Sequence, residues 1–155
     1  MHDADVFYVL SAREERDSFG AKMVAEQIRP DIAIILDVTH GTMPGCGEGE
    51  TYPMDATMIS VGPNSHRKLA AYIKEHADKL NMKTAWDVSP GNTYTDAWEV
   101  QIAGEGIPCV VLSLPLKYMH TTVELGSMDL MRAQARLLCE AVAHIHKGWE
   151  ETLCY

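Results

Sequence analysis

The sequence predicts an α/β fold: one domain over residues 1–155, a mostly parallel central sheet, and helices on both of its faces. Three observations carry that expectation. Val6 to Leu10, Ile32 to Leu36 and Ile107 to Leu114 are apolar without alternation, the pattern of strands buried on both faces. Between them lie segments whose apolar residues recur at helical spacing. The joins are short, so strand, helix and strand form βαβ units with parallel strands.

Val6 to Leu10 is predicted as the first strand, with Ser11 to Glu15 leaving its carboxyl end. Asp17 or Ser18 caps the following helix, whose Phe19, Met23, Val24 and Ile28 share a face, and Pro30 ends it. Ile32 to Leu36 is the second strand and leads straight into Asp37. Thr39 to Pro53 is rich in Gly, Pro and Thr and is predicted as a long loop, a length that marks function or a missing neighbour. Thr57 to Val61 is a short strand, Ser65 caps a helix carrying Leu69, Ile73, Ala77 and Leu80, and Asn81 terminates it.

Thr84 to Val88 is a further strand, and Thr95 and Asp96 open a short helix ending near Gly104 or Gly106. After the strand Ile107 to Leu114, Ser127 caps the longest helix, with Leu130, Leu137, Leu138, Ala141, Val142 and Ile145 on its buried stripe. Trp149 to Tyr155 is expected to be a tail of little order.

Composition narrows the function. A formal charge of -9 makes nucleic acid a poor partner, because such binding depends on Lys and Arg neutralising phosphates. No apolar run approaches the roughly 20 residues of a membrane span, and no signal peptide is present, so a cytoplasmic protein without membrane contact is expected. Cys46, Cys109, Cys139 and Cys154 contain no CxxC pair. Cys109 and Cys139 sit in apolar runs, as core thiols of a reducing compartment do.

The predicted strand ends gather Glu14, Glu15, Asp37 and His120 on one rim. Carboxylates with one imidazole and no thiolate suit zinc, cobalt or manganese in a hydrolytic site. Consecutive side chains such as Glu14 and Glu15 point apart, so one can bind metal while the other acts as a general base. On chemistry alone, a charged loop without metal stands level with this reading.

VFYVLSAREE, IAIILDVTH with PG a few residues on, and TDAWEVQIAGEGIPCVVLSLPLKYMHT occur in the order found in M42 metallo-aminopeptidases. From about Val6 to Ile145 the chain resembles the second, carboxyl-terminal half of that family's catalytic domain. The resemblance implies a three-layer αβα sandwich of the phosphorylase/hydrolase-like kind seen in dinuclear zinc peptidases, truncated on its amino-terminal side. It implies Glu14 as general base, Glu15 and His120 as ligands of one metal, and Asp37 as ligand of the other. Thr95 and Asp96 match a segment that supports the site or contacts substrate. His40 corresponds to an outer-layer residue or loop anchor.

The implied reaction is hydrolysis of the first peptide bond of a short peptide, with divalent zinc or cobalt as cofactor. The family's His-x-Asp motif and bridging Asp have no match in the thirteen residues before Glu14, where His2, Asp3 and Asp5 stand, and the family's inserted β domain is absent. The expectation is therefore one open metal site or none, and weak or absent activity for this chain alone. A homo-oligomer, or a partner subunit supplying the missing half, would complete it. A non-catalytic interaction module is the alternative. Glycoside hydrolysis ranks third, because 7% aromatic residues provide no row of rings for a sugar cleft.

Overall fold

In the computed structural model, which describes residues 3–47 and 49–153, apolar residues form two layers of contact on either side of one sheet. The strands are β1 (Ala33–His40), β2 (Thr57–Val61), β3 (Thr84–Val88) and β4 (Cys109–Leu116). Their order is β1-β4-β2-β3, with β1 parallel to β4, β2 parallel to β3, and β2 antiparallel to β4. The helices are α1 (Glu14–Asp17), α2 (Phe19–Ile28), α3 (Arg67–Lys79), α4 (Ala97–Val100) and α5 (Met128–Ala143).

Side-chain alternation along β4 divides the core. Val110 and Leu112 point to one face, where Leu69, Ile73 and Ala77 of α3 and Leu137 and Ala141 of α5 cover them. Cys109 and Val111 point to the other, against Ala21 and Ala25 of α2 and Ala97 and Val100 of α4. This is the αβα sandwich, with α3 and α5 below the sheet and α2 and α4 above it.

The second face sets the position of the site. Ala33 and Ile35 pack into the α2–α4 cluster, and the same alternation puts Asp37 next along that face, beside Ser113 of β4. Asp37 therefore lies inside β1 and not beyond its end, because the ladder with β4 continues through His40 and Leu116.

Val6 to Leu10 does not form the predicted strand. It runs without ladder hydrogen bonds, and Phe7, Tyr8 and Leu10 are exposed. A strand needs neighbours to satisfy its N–H and C=O groups and layers to cover its side chains, and the described residues supply neither. The predicted first βαβ unit is accordingly reduced to α2 and β1.

Other differences are local. His66, and not Ser65, caps α3, its Nδ1 accepting from the Leu69 N–H at 3.4 Å. Ser18 occupies the cap position of α2 in a left-handed conformation, and it is Asp17 Oδ1 that accepts the Phe19 N–H, at 3.2 Å. Ser127 caps α5 as expected through the Leu130 N–H at 3.2 Å, and Asn81 follows α3 at φ 53°. Gln134 joins Leu130, Leu137 and Ala141 on the buried stripe of α5.

The segment after β1 is tied down: Gly41 and Tyr52 bridge its base, and the Tyr52 hydroxyl donates to Asp87 Oδ1 of β3 at 2.6 Å. The tail is ordered as far as Leu153. Trp149–Leu153 is a 3₁₀ turn that buries Leu153 in the α3–α5 core and stacks Trp149 against Tyr72, ring centroids 4.5 Å apart. Cys109 is buried, whereas Cys139 faces solvent on α5 instead of entering the core. Cys154 and His2 lie outside the described residues.

Candidate metal and catalytic site

Glu14 and Glu15 open the single turn α1, and the chain around them is strongly constrained. Arg13 has φ 69°, and Ser18, after α1, has φ 49°. Gly20 donates its N–H to the Ala12 carbonyl at 3.2 Å, and a Cβ at Gly20 would collide with that oxygen. The sequence reading treated the pair as loop residues at a strand end. Here a helical turn docked on α2 presents them, about 100° apart around its axis, so they still diverge.

His120 comes from the turn after β4. Tyr118 and His120 have φ 60° and 62°, a left-handed backbone that is costly for such residues and that clusters at functional sites. The turn is held by Glu124 Oε1, which accepts the His120 N–H at 2.8 Å, and by the Thr121 hydroxyl, which donates to the Tyr118 carbonyl at 2.6 Å. The result is that His120 Nε2 lies 3.3 Å from Glu15 Oε1.

Asp96 joins the group from the start of α4. Its Oδ2 accepts from the Ser11 hydroxyl at 2.5 Å, while Oδ1 is buried with no hydrogen-bond partner. Thr95, buried beside it, accepts the Ala97 N–H at 3.3 Å and shares a 3.0 Å hydrogen bond with Thr93. Asp37 Oδ1 accepts the Val38 N–H at 2.7 Å. His40 alternates to the opposite face of β1 and is exposed, and its carbonyl accepts the Tyr52 N–H at 2.8 Å, so it anchors the loop base outside the acidic group.

The electrostatics unite these residues. Burial pushes the Glu14 carboxyl up to about 7, the negative charges of Asp37, Glu15 and Asp96 push in the same direction, and His120 opposes them. Burial likewise raises Asp37, against the lowering by its Val38 hydrogen bond, with Asp96 and Glu15 adding to the rise and His120 again opposing. Glu14, Glu15, Asp37 and Asp96 thus crowd their charge around one imidazole. Excess negative charge and an orphaned buried oxygen suit a divalent cation such as zinc, cobalt or manganese by chemistry, although no three ligand atoms of this cluster lie within 4.8 Å of one another.

The sequence reading grouped Glu14, Glu15, Asp37 and His120; the structure pairs Glu15 with His120 at 3.3 Å and sets Asp37, Asp96 and His120 near enough to Glu14 to act on its charge. The sequence reading missed Ser11, whose bond to Asp96 across 85 positions has no local signal. A cleft of about 520 Å³ is lined by Glu14, Glu15 and His120 together with Tyr94, Thr95 and Trp98. Tyr94 and Trp98 are exposed rings facing free space, suited to contact an apolar side chain.

The chain as a whole is similar to known proteins. The family described as M42 glutamyl aminopeptidase matches residues 1–137. Lysyl aminopeptidase of Pyrococcus furiosus is 37% identical over 127 residues, covering 81% of this chain and 36% of that protein. An aminopeptidase from the archaeon Desulfurococcus kamchatkensis superposes with a TM-score of 0.89 at 26% identity, over 99% of this chain and 45% of its own. The PhTET1 structure, a dodecamer, superposes with a TM-score of 0.69 at 22% identity over 88% of this chain and 41% of its own, a likeness of fold. The chain therefore spans less than half the length of each.

Proposed function

The chain belongs to the M42 glutamyl aminopeptidase family, and on that premise we propose that its acidic cluster is the catalytic half-site of a metal-dependent aminopeptidase acting on short peptides. The observation that supports this reading above all is the convergence of Glu14, Asp37 and Asp96 on the 3.3 Å Glu15–His120 pair. Glu15 and His120 would hold one divalent cation and Asp37 a second, with Asp96 beside them. A cation in such a site lowers the pKa of water and polarises a carbonyl.

Glu14 is the proton carrier. Without metal its carboxyl is pushed up to about 7, chiefly by burial, and a bound cation would draw it toward the ionised, proton-accepting form. It takes the proton of the attacking water and returns it to the leaving amine. Tyr94 and Trp98 receive the first side chain of the peptide at the open wall of the cleft.

The family's His-x-Asp motif and bridging Asp have no counterpart at the acidic cluster, the His-x-Asp string His76-Ala77-Asp78 lying on α3 across the sheet, so the site here is read as half of a two-metal centre. A subunit carrying the first half would complete it. This is consistent with the edge of β1, whose ladder neighbour among the described residues is β4, and with the exposed Phe7, Tyr8 and Leu10.

Turnover of aminoacyl nitroanilides by the zinc- or cobalt-supplemented chain tests the proposal. The expected result is slow cleavage, stopped by chelator and abolished in Glu14→Gln while metal binding persists. Cleavage insensitive to chelator, or retained in Glu14→Gln, would contradict it. Metal binding without any cleavage would favour a non-catalytic module that keeps the fold.

A further inference from the structure

On the opposite face of the sheet from the acidic cluster, we propose that His76 of α3 with Glu140 and His144 of α5 forms a second divalent-metal site, selective for zinc-class cations. His76 is 2% exposed, and its Nδ1 is buried without a hydrogen-bond partner. A buried imidazole nitrogen left unpaired is costly, so the group it faces is informative. It faces Glu140 Oε1 at 3.7 Å, too long for a hydrogen bond, and His144 Nδ1 lies 3.6 Å from the same oxygen.

One ligand atom from each of the three residues lies within 4.8 Å of the others. Ligands bound to zinc at about 2.0–2.1 Å in a tetrahedron are about 3.3 Å apart, so these side chains would close by up to about 1.5 Å on a bound ion. Glu140 and His144 stand four residues apart on α5, where side chains share a face. His144 Nδ1 donates to the Glu140 carbonyl oxygen at 2.8 Å, which fixes the ring and leaves the other nitrogen, Nε2, for a cation. The two imidazole rings, 4.9 Å between centroids, bring α3 and α5 together at this point.

Two imidazoles and one carboxylate favour zinc, cobalt, nickel or copper over magnesium or calcium. Glu140 and His144 are 31% and 51% exposed, so a cation reaches the site from solvent and keeps a position for water. Bound there, it clamps the α3–α5 layer and satisfies the His76 nitrogen. None of its ligands belongs to the acidic cluster, so the two sites can be emptied separately.

The test uses the full chain carrying Glu15→Ala and His120→Ala, which disables the rim, titrated with Co²⁺ and followed by its visible absorption and by Tm. One equivalent binding saturably, with the bands of four- or five-coordinate cobalt and a rise in Tm, is the expected result. Adding His144→Ala or Glu140→Gln, both at partly exposed positions and so compatible with folding, weakens binding about tenfold or more. Absence of saturable Co²⁺ binding in the rim-disabled chain, or equal binding after Glu140→Gln in a chain with an unchanged far-UV spectrum, would overturn the proposal.

Discussion

His120 Nε2 lies 3.3 Å from Glu15 Oε1, although each is mostly exposed, at 62% and 76% of its side chain. An ion pair this open contributes about 0–1 kcal/mol, so stability does not explain why a left-handed backbone at His120 holds it in place. Glu15→Ala and His120→Ala are predicted to leave Tm nearly unchanged and to weaken rim metal binding at least about tenfold. Thermal melts with isothermal titration of Zn²⁺ check both halves of the prediction.

Glu14 gives the site a pH signature. In the folded protein the Glu14 carboxyl is pushed up to about 7 from the 4.5 of a free glutamate. Between those values the unfolded state binds fewer protons, so this group makes stability fall as pH rises through that window. In chelator, Glu14→Gln is predicted to flatten the fall and to raise Tm by about 2 °C at pH 8, a figure discounted for partial exposure. Saturating Zn²⁺ favours the ionised carboxylate and should erase the difference. Melting curves from pH 4.5 to 8 with and without metal provide the comparison.

The sheet and its lower layer were readily legible in the sequence. Thr57 to Val61 and Thr84 to Val88 are strands at the predicted bounds, and Ser127 caps α5. Val6 to Leu10 failed for a definite reason: apolar composition reports that a segment suits a buried strand, and it is silent on whether a ladder partner is present. Glu14, Glu15, Asp37 and His120 were singled out in the sequence because they follow apolar runs and match a family motif. Asp37 was placed at the wrong point along its strand because the polar residues Thr39 and His40 disguise the last rungs of the β1–β4 ladder. The Glu140–His144 spacing was in view as a helical i, i+4 pair, but its partner His76 is remote in sequence and became visible only when α3 and α5 packed.

Gly20 links the fold to the site. A methyl group there meets the backbone of Ala12, two residues before Glu14. Gly20→Ala is predicted to destabilise by about 1–3 kcal/mol and to lower rim metal affinity by displacing α1. Urea unfolding measures the first and metal titration the second. A loss of stability with unchanged affinity would mean that α1 adjusts independently of Ala12.

Leu137 is fully buried between α5 and the sheet. Leu137→Ala is predicted to cost about 2–5 kcal/mol through the cavity it leaves. Because Leu137 packs on the face away from the acidic cluster, Zn²⁺ affinity at the rim should survive in the folded fraction. Urea melts and titration below the unfolding midpoint separate these effects.

The central claim is that Glu14, Glu15, Asp37 and His120 form a working metal half-site. Its most direct test is equilibrium dialysis of Zn²⁺ against the His144→Ala chain, which leaves the acidic cluster as the site in question, beside the same chain carrying Glu15→Ala and His120→Ala. Saturable binding in the first and its loss in the second is the predicted result. Equal metal content in the two chains would contradict the account.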